Sequence, residues 1–468
     1  MVDPDVLTDR LLARRAERRG AAALDAPGDG PVPLSYAQER MWLLEQMAAG
    51  GPAGNNYLFV FHLDGPLDEA ALRRAIHELH RRQEVLRTAY RLGADGPQQV
   101  VLEPGQPLPP ATDLTSEADP QRAAAEQALA MGATPYDLDV AAPVRWQLFR
   151  LAPRRHLLAF GVHHIAFDGW SESVLHAELA TLYVPGRHAA ADAGTGLRRR
   201  FADYARQQRR QFDDDSAPAL QYWCRRLQGA PVALSLPFDR PPRPGGAANS
   251  ATRVAELPVE LVGRLEAFGR ETRASLYMLL LAGFGALLGE RAGQDDLVVG
   301  TPHAGRHEVE LEQLIGSFVN MVPMRLHLAG RPSFRQLVHQ VRDTALEAFS
   351  YADAPLERII AAAAPLREPG RPPLTQAFFQ VHNTPRTPLA LHGLEVRIEQ
   401  PLYGGTSLDL GLVILAQDGT LRAFWKYRTD RFDAASIDRL HQDLGRLLLR
   451  CTDGPDRPAA GDWRELST

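Results

Sequence analysis

Cysteine is almost missing from this sequence: Cys224 and Cys451 are the only two, far apart and without metal-ligand spacing. Their scarcity excludes a disulfide framework and fits a reducing compartment, so a cytoplasmic location is expected. Long apolar runs are missing as well. The most apolar stretch, residues 276–288, falls short of the roughly 18–20 residues that span a bilayer; it reads as a buried helix, and no membrane partner is expected. The opening residues Met1-Val2-Asp3-Pro4-Asp5 carry no apolar signal core. A net charge of -5 over 468 residues offers neither a footprint for nucleic acid nor a polybasic membrane patch. Lysine is reduced to Lys426 while arginine abounds, a bias that GC-rich codon usage accounts for. Nucleophile elbows, phosphate-cradling loops and dinucleotide fingerprints do not occur.

What is present is the composition of a globular protein. The 45% hydrophobic and 23% charged content argues against disorder. A chain of 468 residues exceeds the roughly 250–300 at which a single core stops growing, so two lobes are expected. Residues 1–32 read as an N-terminal extension, with an Arg-rich amphipathic stretch at Leu11-Leu12-Ala13-Arg14-Arg15 and a Gly/Pro-rich run over 26–33. A helix is expected after Ser35, and another over 68–83, where Ala71, Leu72, Ala75, Ile76 and Leu79 recur at helical spacing. Segment 154–163 reads as a strand, and a helical pattern resumes after Ser171 with Val174, Leu175, Leu179 and Leu182. A polar helix over 201–227 leads into a Pro/Gly cluster at 237–246, the expected boundary region. The lobes are placed at 33–227 and 228–455, with a tail at 456–468. In the second lobe the spacing predicts helices over 276–288 and 334–349 and strands over 296–300 and 319–328. Mixed helices and strands throughout point to an α/β sandwich in each lobe.

The densest concentration of chemistry is His163-His164-Ile165-Ala166-Phe167-Asp168-Gly169, on a strand-to-helix connection. Flanking rigid elements are where a catalytic side chain is most easily placed. Three readings are open. Asp168-Gly169 can be a turn that caps the next helix, with both histidines as satisfied strand residues. His164 and Asp168 can be metal ligands, although no third ligand stands at a recognisable spacing. Or an imidazole serves as base near neutral pH, an Asp orients local structure or holds an Arg, and Gly169 lets the backbone approach a substrate. With no other nucleophile or cofactor motif in the chain, the third reading suggests His-centred acyl transfer between two bound substrates.

The segment HHIAFDGWS, residues 163–171, resembles the HHxxxDG signature of condensation domains of nonribosomal peptide synthetases. Further segments match in order: Ser35-Tyr36-Ala37-Gln38-Glu39-Arg40-Met41-Trp42-Leu43, then Gln83-Glu84-Val85-Leu86-Arg87-Thr88, then Tyr222-Trp223. Gly293-Gln294-Asp295-Asp296, Gly300-Thr301-Pro302, Gly305-Arg306, Ile315-Gly316-Ser317-Phe318-Val319-Asn320 and Tyr427-Arg428-Thr429-Asp430 follow, so the resemblance covers about residues 33–450.

The resemblance implies an α/β fold of two chloramphenicol-acetyltransferase-like sandwich lobes forming a V-shaped pseudo-dimer with a central tunnel. It implies that donor and acceptor arrive as thioesters on the 4'-phosphopantetheine arms of two peptidyl carrier proteins, that no cofactor is held by the chain itself, and that the chain acts as a monomer. His164 is then the general base or positioning residue and His163 a structural partner. Asp168 pairs with an arginine, for which Arg306 is the candidate, and Gly169 leaves room for substrate. Trp170, Ser171, Ser317 and Asn320 are expected to line the tunnel, residues 303–325 to form its floor, and a segment within about 370–405 to cross between lobes. Asp168-Gly169-Trp170-Ser171 follows the condensation pattern, not that of epimerisation domains, and the Ser35 segment leans towards an L-configured or achiral donor. Met321-Val322-Pro323, the loose match over 367–374 and Ala354-Pro355-Leu356-Glu357 depart from the usual wording, which bears on selectivity and not on reaction class. The alternatives are a free-standing acyltransferase making an ester or amide with a soluble acceptor, and an inactive module that recruits partner proteins.

Overall fold

A computed structural model describes residues 32–47, 55–94, 96–184, 197–212, 218–240, 250–363, 372–382, 387–399, 402–403, 408–417 and 419–459. The expected extension over 1–31 and parts of the Pro/Gly cluster, of the 367–374 segment and of the tail lie outside these residues.

Two six-stranded sheets organise the chain. In the first lobe the strands Asn56–Asp64, Arg155–His163 and Val144–Ala152 pair antiparallel, with Thr112–Asp113 at one edge. Strand side chains alternate between faces, and both faces of Arg155–His163 are apolar for that reason. Leu158, Phe160 and Val162 meet one helical layer, formed by Glu69–Arg82 and Gly169–Leu182, while Leu157 and Ala159 meet Pro120–Ala133 on the other side. Each fully buried Leu or Phe in such a layer contributes roughly 1.5–3 kcal/mol of transfer free energy. The histidine strand is therefore gripped from both faces up to His163.

The second sheet runs in the order Asn320–His327, Asp296–His303, Ala377–His382, Leu410–Gln417, Thr420–Arg428, Ser250–Glu256. Helix Leu276–Ala292, the apolar stretch of the sequence, is capped by Ser275 and buried continuously from Met278 to Gly289. Gly283 and Gly285 cost helix propensity but allow close approach: a Cβ there would meet Leu448 at 2.5 Å and Leu326 at 2.4 Å. Among the described residues no single helix is long and apolar enough to cross a membrane.

Two segments of the second lobe enter the first. Leu311, Leu314, Ile315 and Phe318, between the strands Asp296–His303 and Asn320–His327, belong to the first lobe's core. Further on, Leu389 and Leu391 join the same core, and the strands Glu395–Ile398 and Leu402–Tyr403 both pair with Asn56–Asp64, completing the six strands of the first sheet. This is the crossing expected within 370–405. The region read as one polar helix over 201–227 is two helices, Phe201–Phe212 and Pro218–Leu227. Phe201 and Ala205 pack into the first core, whereas Phe212, Leu220, Trp223 and Leu227 pack into the second, so the switch of cores falls inside Phe201–Phe212.

Candidate functional site

The strand Arg155–His163 ends in a single 3-10 turn, His164–Ala166, before the helix Gly169–Leu182. The turn is pinned at every exit. His164 N–H donates to the Asn55 carbonyl at 2.8 Å, and the Phe167 N–H closes back on the His164 carbonyl at 3.3 Å. The imidazole of His164 donates from Nδ1 to the Phe167 carbonyl at 2.6 Å. A carbonyl can only accept, so the proton sits on Nδ1 and the Nε2 lone pair is left available. Among the described residues nothing bonds to Nε2. The ring is half-buried, 4.9 Å from the ring of Tyr57. Burial lowers the His164 pKa to about 4, against the opposing pull of the Phe167 carbonyl and the Asp168 carboxylate; His163 and Arg40 push further downward. At neutral pH the ring is an uncharged acceptor.

His163 is the opposite case. It is buried, its Nδ1 accepts from the Ile165 N–H at 3.1 Å, and its Nε2 lies 3.1 Å from Glu45 Oε1. Both ring nitrogens are consumed inside the protein, which fits the structural place expected of it.

Asp168 caps the helix Gly169–Leu182 and ties the lobes together. Its Oδ1 accepts from Ser171 N at 2.9 Å, Ser171 Oγ at 2.7 Å and Arg306 Nη2 at 3.0 Å; its Oδ2 accepts from Phe318 N at 3.0 Å and from the same Arg306 Nη2 at 3.3 Å. With these donors in place the carboxylate has no lone pair to offer a metal, and the metal reading of His164 with Asp168 fails on its donor set. Among the described residues no three His, Cys, Asp or Glu side chains converge elsewhere. Arg306 spends its other amino group on the Leu311 and Leu314 carbonyls at 2.5 and 2.6 Å and lies on the Phe318 ring at 4.1 Å. Gly305, with φ +67, turns the chain into this contact; a Cβ there would strike the Phe318 carbonyl oxygen at 2.1 Å.

Gly169 has no such internal reason. It is exposed, and a Cβ added to it would meet nothing within 4 Å. Trp170, half-buried beside it, donates Nε1 to the Glu312 carbonyl at 3.1 Å and so joins the helix start to the crossing loop. Two of the expected tunnel-lining residues are elsewhere. Ser171 and Ser317 are both 0% exposed, Ser171 because its hydroxyl is locked between Asp168, Gly316 and Arg306. Asn320 borders a cavity of about 240 Å³, but its amide is spent on the Ala352 and Ala354 carbonyls and the Leu356 N–H. What the sequence did not single out is the setting of the two histidines: Tyr57 and Asn55 against His164 and Glu45 behind His163, three polar or aromatic residues with no motif to mark them.

A condensation domain family model matches residues 29–461. Phosphinothricin tripeptide synthetase PhsB of Streptomyces viridochromogenes is 34% identical over 98% of this chain, which spans 39% of that protein's length. Among solved structures, the X-domain from teicoplanin biosynthesis superposes with a TM-score of 0.83 at 27% identity, over 94% of this chain and 99% of its own. SgcC5 from Streptomyces globisporus, solved with (R)-(-)-1-(2-naphthyl)-1,2-ethanediol and sucrose, superposes at 0.73 and 25% identity, over 91% of this chain and 100% of its own. The family match over most of the length, on two lobes stitched at Asp168 and Arg306, establishes that this chain belongs to the condensation domain family.

Proposed function

We propose that the chain joins an acyl or aminoacyl thioester on one peptidyl carrier protein to the amine of an acceptor on another, forming an amide. The observation that carries this reading is the His164 imidazole, held with Nδ1–H on the Phe167 carbonyl in a half-buried site where, among the described residues, nothing engages Nε2. The acceptor nitrogen attacks the thioester carbonyl carbon, and the N–C bond forms. As it forms, the nitrogen becomes acidic and its proton passes to Nε2. The tetrahedral intermediate collapses, the C–S bond breaks, and the proton leaves with the pantetheine thiol. An imidazole whose pKa is lowered to about 4 is a weak base, so its main service is to orient the amine and take a proton already made acidic. Proximity carries most of the remainder: two tethered reactants gain roughly 7–11 kcal/mol when well aligned. Gly169 fits a role in leaving space beside the thioester, since among the described residues nothing would meet a Cβ there. Asp168 and Arg306 hold the loops and exchange no proton.

Acyl transfer to a soluble alcohol or amine is the second reading, favoured by the diol in the SgcC5 structure. A partner-recruiting module is the third; an X-domain of this fold has been seen with OxyB. The free thiols of Cys224 and Cys451 suit a reducing cytoplasm. Mixing a loaded donor carrier with acceptor offered both free and carrier-bound, followed by intact-protein mass spectrometry, separates these readings. Mass gain on the acceptor carrier supports condensation. Product only with free acceptor supports the second reading, and carrier binding with no product supports the third.

A further inference from the structure

We infer that Glu45 is a positioning residue: by accepting a hydrogen bond from His163 it holds, together with the Ile165 N–H, that histidine's tautomer, and through it the aim of His164. The inference rests on the catalytic reading of His164 given above.

The chain of contacts is short and each link has a fixed polarity. The Ile165 N–H can only donate, so His163 Nδ1, 3.1 Å away, must carry the lone pair. Its proton is therefore on Nε2, which needs an acceptor because His163 is buried. Glu45 Oε1 is that acceptor at 3.1 Å, and the same oxygen receives Asn55 Nδ2 at 2.7 Å. Accepting these bonds keeps the Glu45 carboxyl below its ordinary pKa, with the His163 bond the leading cause. In the other neutral tautomer, Nδ1–H would face the Ile165 N–H, and a bare nitrogen would face the carboxylate. Both contacts would be repulsive.

The consequence reaches His164 by two routes. The His163–Ile165 bond caps the 3-10 turn His164–Ala166, and that turn sets the backbone from which the His164 ring projects. Asn55, held by Glu45 through its side chain, receives the His164 N–H on its carbonyl at 2.8 Å. One carboxylate oxygen thus steadies the backbone on both sides of the reactive ring without touching it. Glu45 lies on the helix Tyr36–Met47, more than a hundred residues from the histidines.

The test compares Glu45→Ala with Glu45→Gln in the full chain. Glutamine keeps an oxygen able to accept both bonds and removes only the charge; alanine removes the acceptor. Glu45→Ala should lower kcat roughly 10–100-fold, as loss of an orienting partner commonly does, with KM for both loaded carriers changed less than about threefold. Glu45→Gln should recover most of that loss. Nitrogen-15 spectra of histidine-labelled protein, with His163 assigned through His163→Asn, should show the Nε2–H form in the parent and in Glu45→Gln and a mixed or exchanged form in Glu45→Ala. Parent-like kcat in Glu45→Ala, an unaltered His163 tautomer in that variant, or a Glu45→Gln as impaired as Glu45→Ala would each overturn the inference. Running His164→Ala in the same assay keeps the two ideas apart. If that variant turns over like the parent, the catalytic reading fails; if it is impaired while Glu45→Ala is not, only the positioning role fails.

Discussion

Among the described residues nothing bonds to one ring nitrogen of His164; around Asp168, four residues on, both carboxylate oxygens are saturated with donors. The first environment is half-buried and belongs to one lobe. The second is fully buried, 0% exposed at Asp168, and is assembled from both lobes. A group meant to react has to be held by its other atoms while its reactive atom stays free. A group meant to hold has to be saturated, because an unpaired charge in that place is costly. On the proposed reading, the short motif between strand and helix contains one of each.

Breaking the reactive end should have the largest effect on rate. His164→Ala is expected to lower turnover about 10²–10⁴-fold with the melting temperature close to the parent's, as measured by product mass on the acceptor carrier and by thermal unfolding. Unchanged turnover in a folded variant would refute the assignment. Breaking the holding end should act on stability. Asp168→Ala leaves Arg306 buried without its counter-charge, and removal of one partner of such a pair costs about 3–5 kcal/mol. Denaturant unfolding should show that loss; a parent-like midpoint would mean the Asp168–Arg306 contact is dispensable.

Gly169→Ala sharpens the comparison between the two ends. Among the described residues nothing opposes the added methyl, and the residue is the first of a helix, so stability should hold or rise slightly. Turnover should fall about tenfold if the space belongs to the thioester, an order-of-magnitude figure from one misplaced contact. Equal turnover would show that the space is idle.

The smallest effect is that of pH. The folded chain holds His164 neutral down to about 4, whereas in the unfolded chain it protonates near 6.5. Between those values the unfolded state binds more protons, so stability rises with pH there. The contribution is complete above about 6.5 and is lost as pH falls towards 4. His164→Ala should therefore flatten the acid limb of the stability profile across that window, and an identical limb in parent and variant would contradict a neutral ring in the folded chain.

The sequence alone determined the elements with strong local signatures. The strand 154–163 and the helices near 68–83, 276–288 and 334–349 appear within a few residues of expectation, because apolar period and capping residues are local properties. The Asp168–Gly169 turn was equally legible, and Arg306 could be proposed as partner for Asp168 through the resemblance. The strands Ala377–His382 and Leu410–Gln417 were not read, since buried parallel pairing leaves no alternation to detect. A crossing within 370–405 was expected from the resemblance, but only the tertiary structure decided its register on Asn56–Asp64, that Leu311, Leu314, Ile315 and Phe318 enter the first lobe, that Ser171 and Ser317 are sealed inside, and that Glu45 stands behind His163. Contacts across more than a hundred residues are set by how whole layers pack. No local pattern encodes which carboxylate a buried imidazole will find.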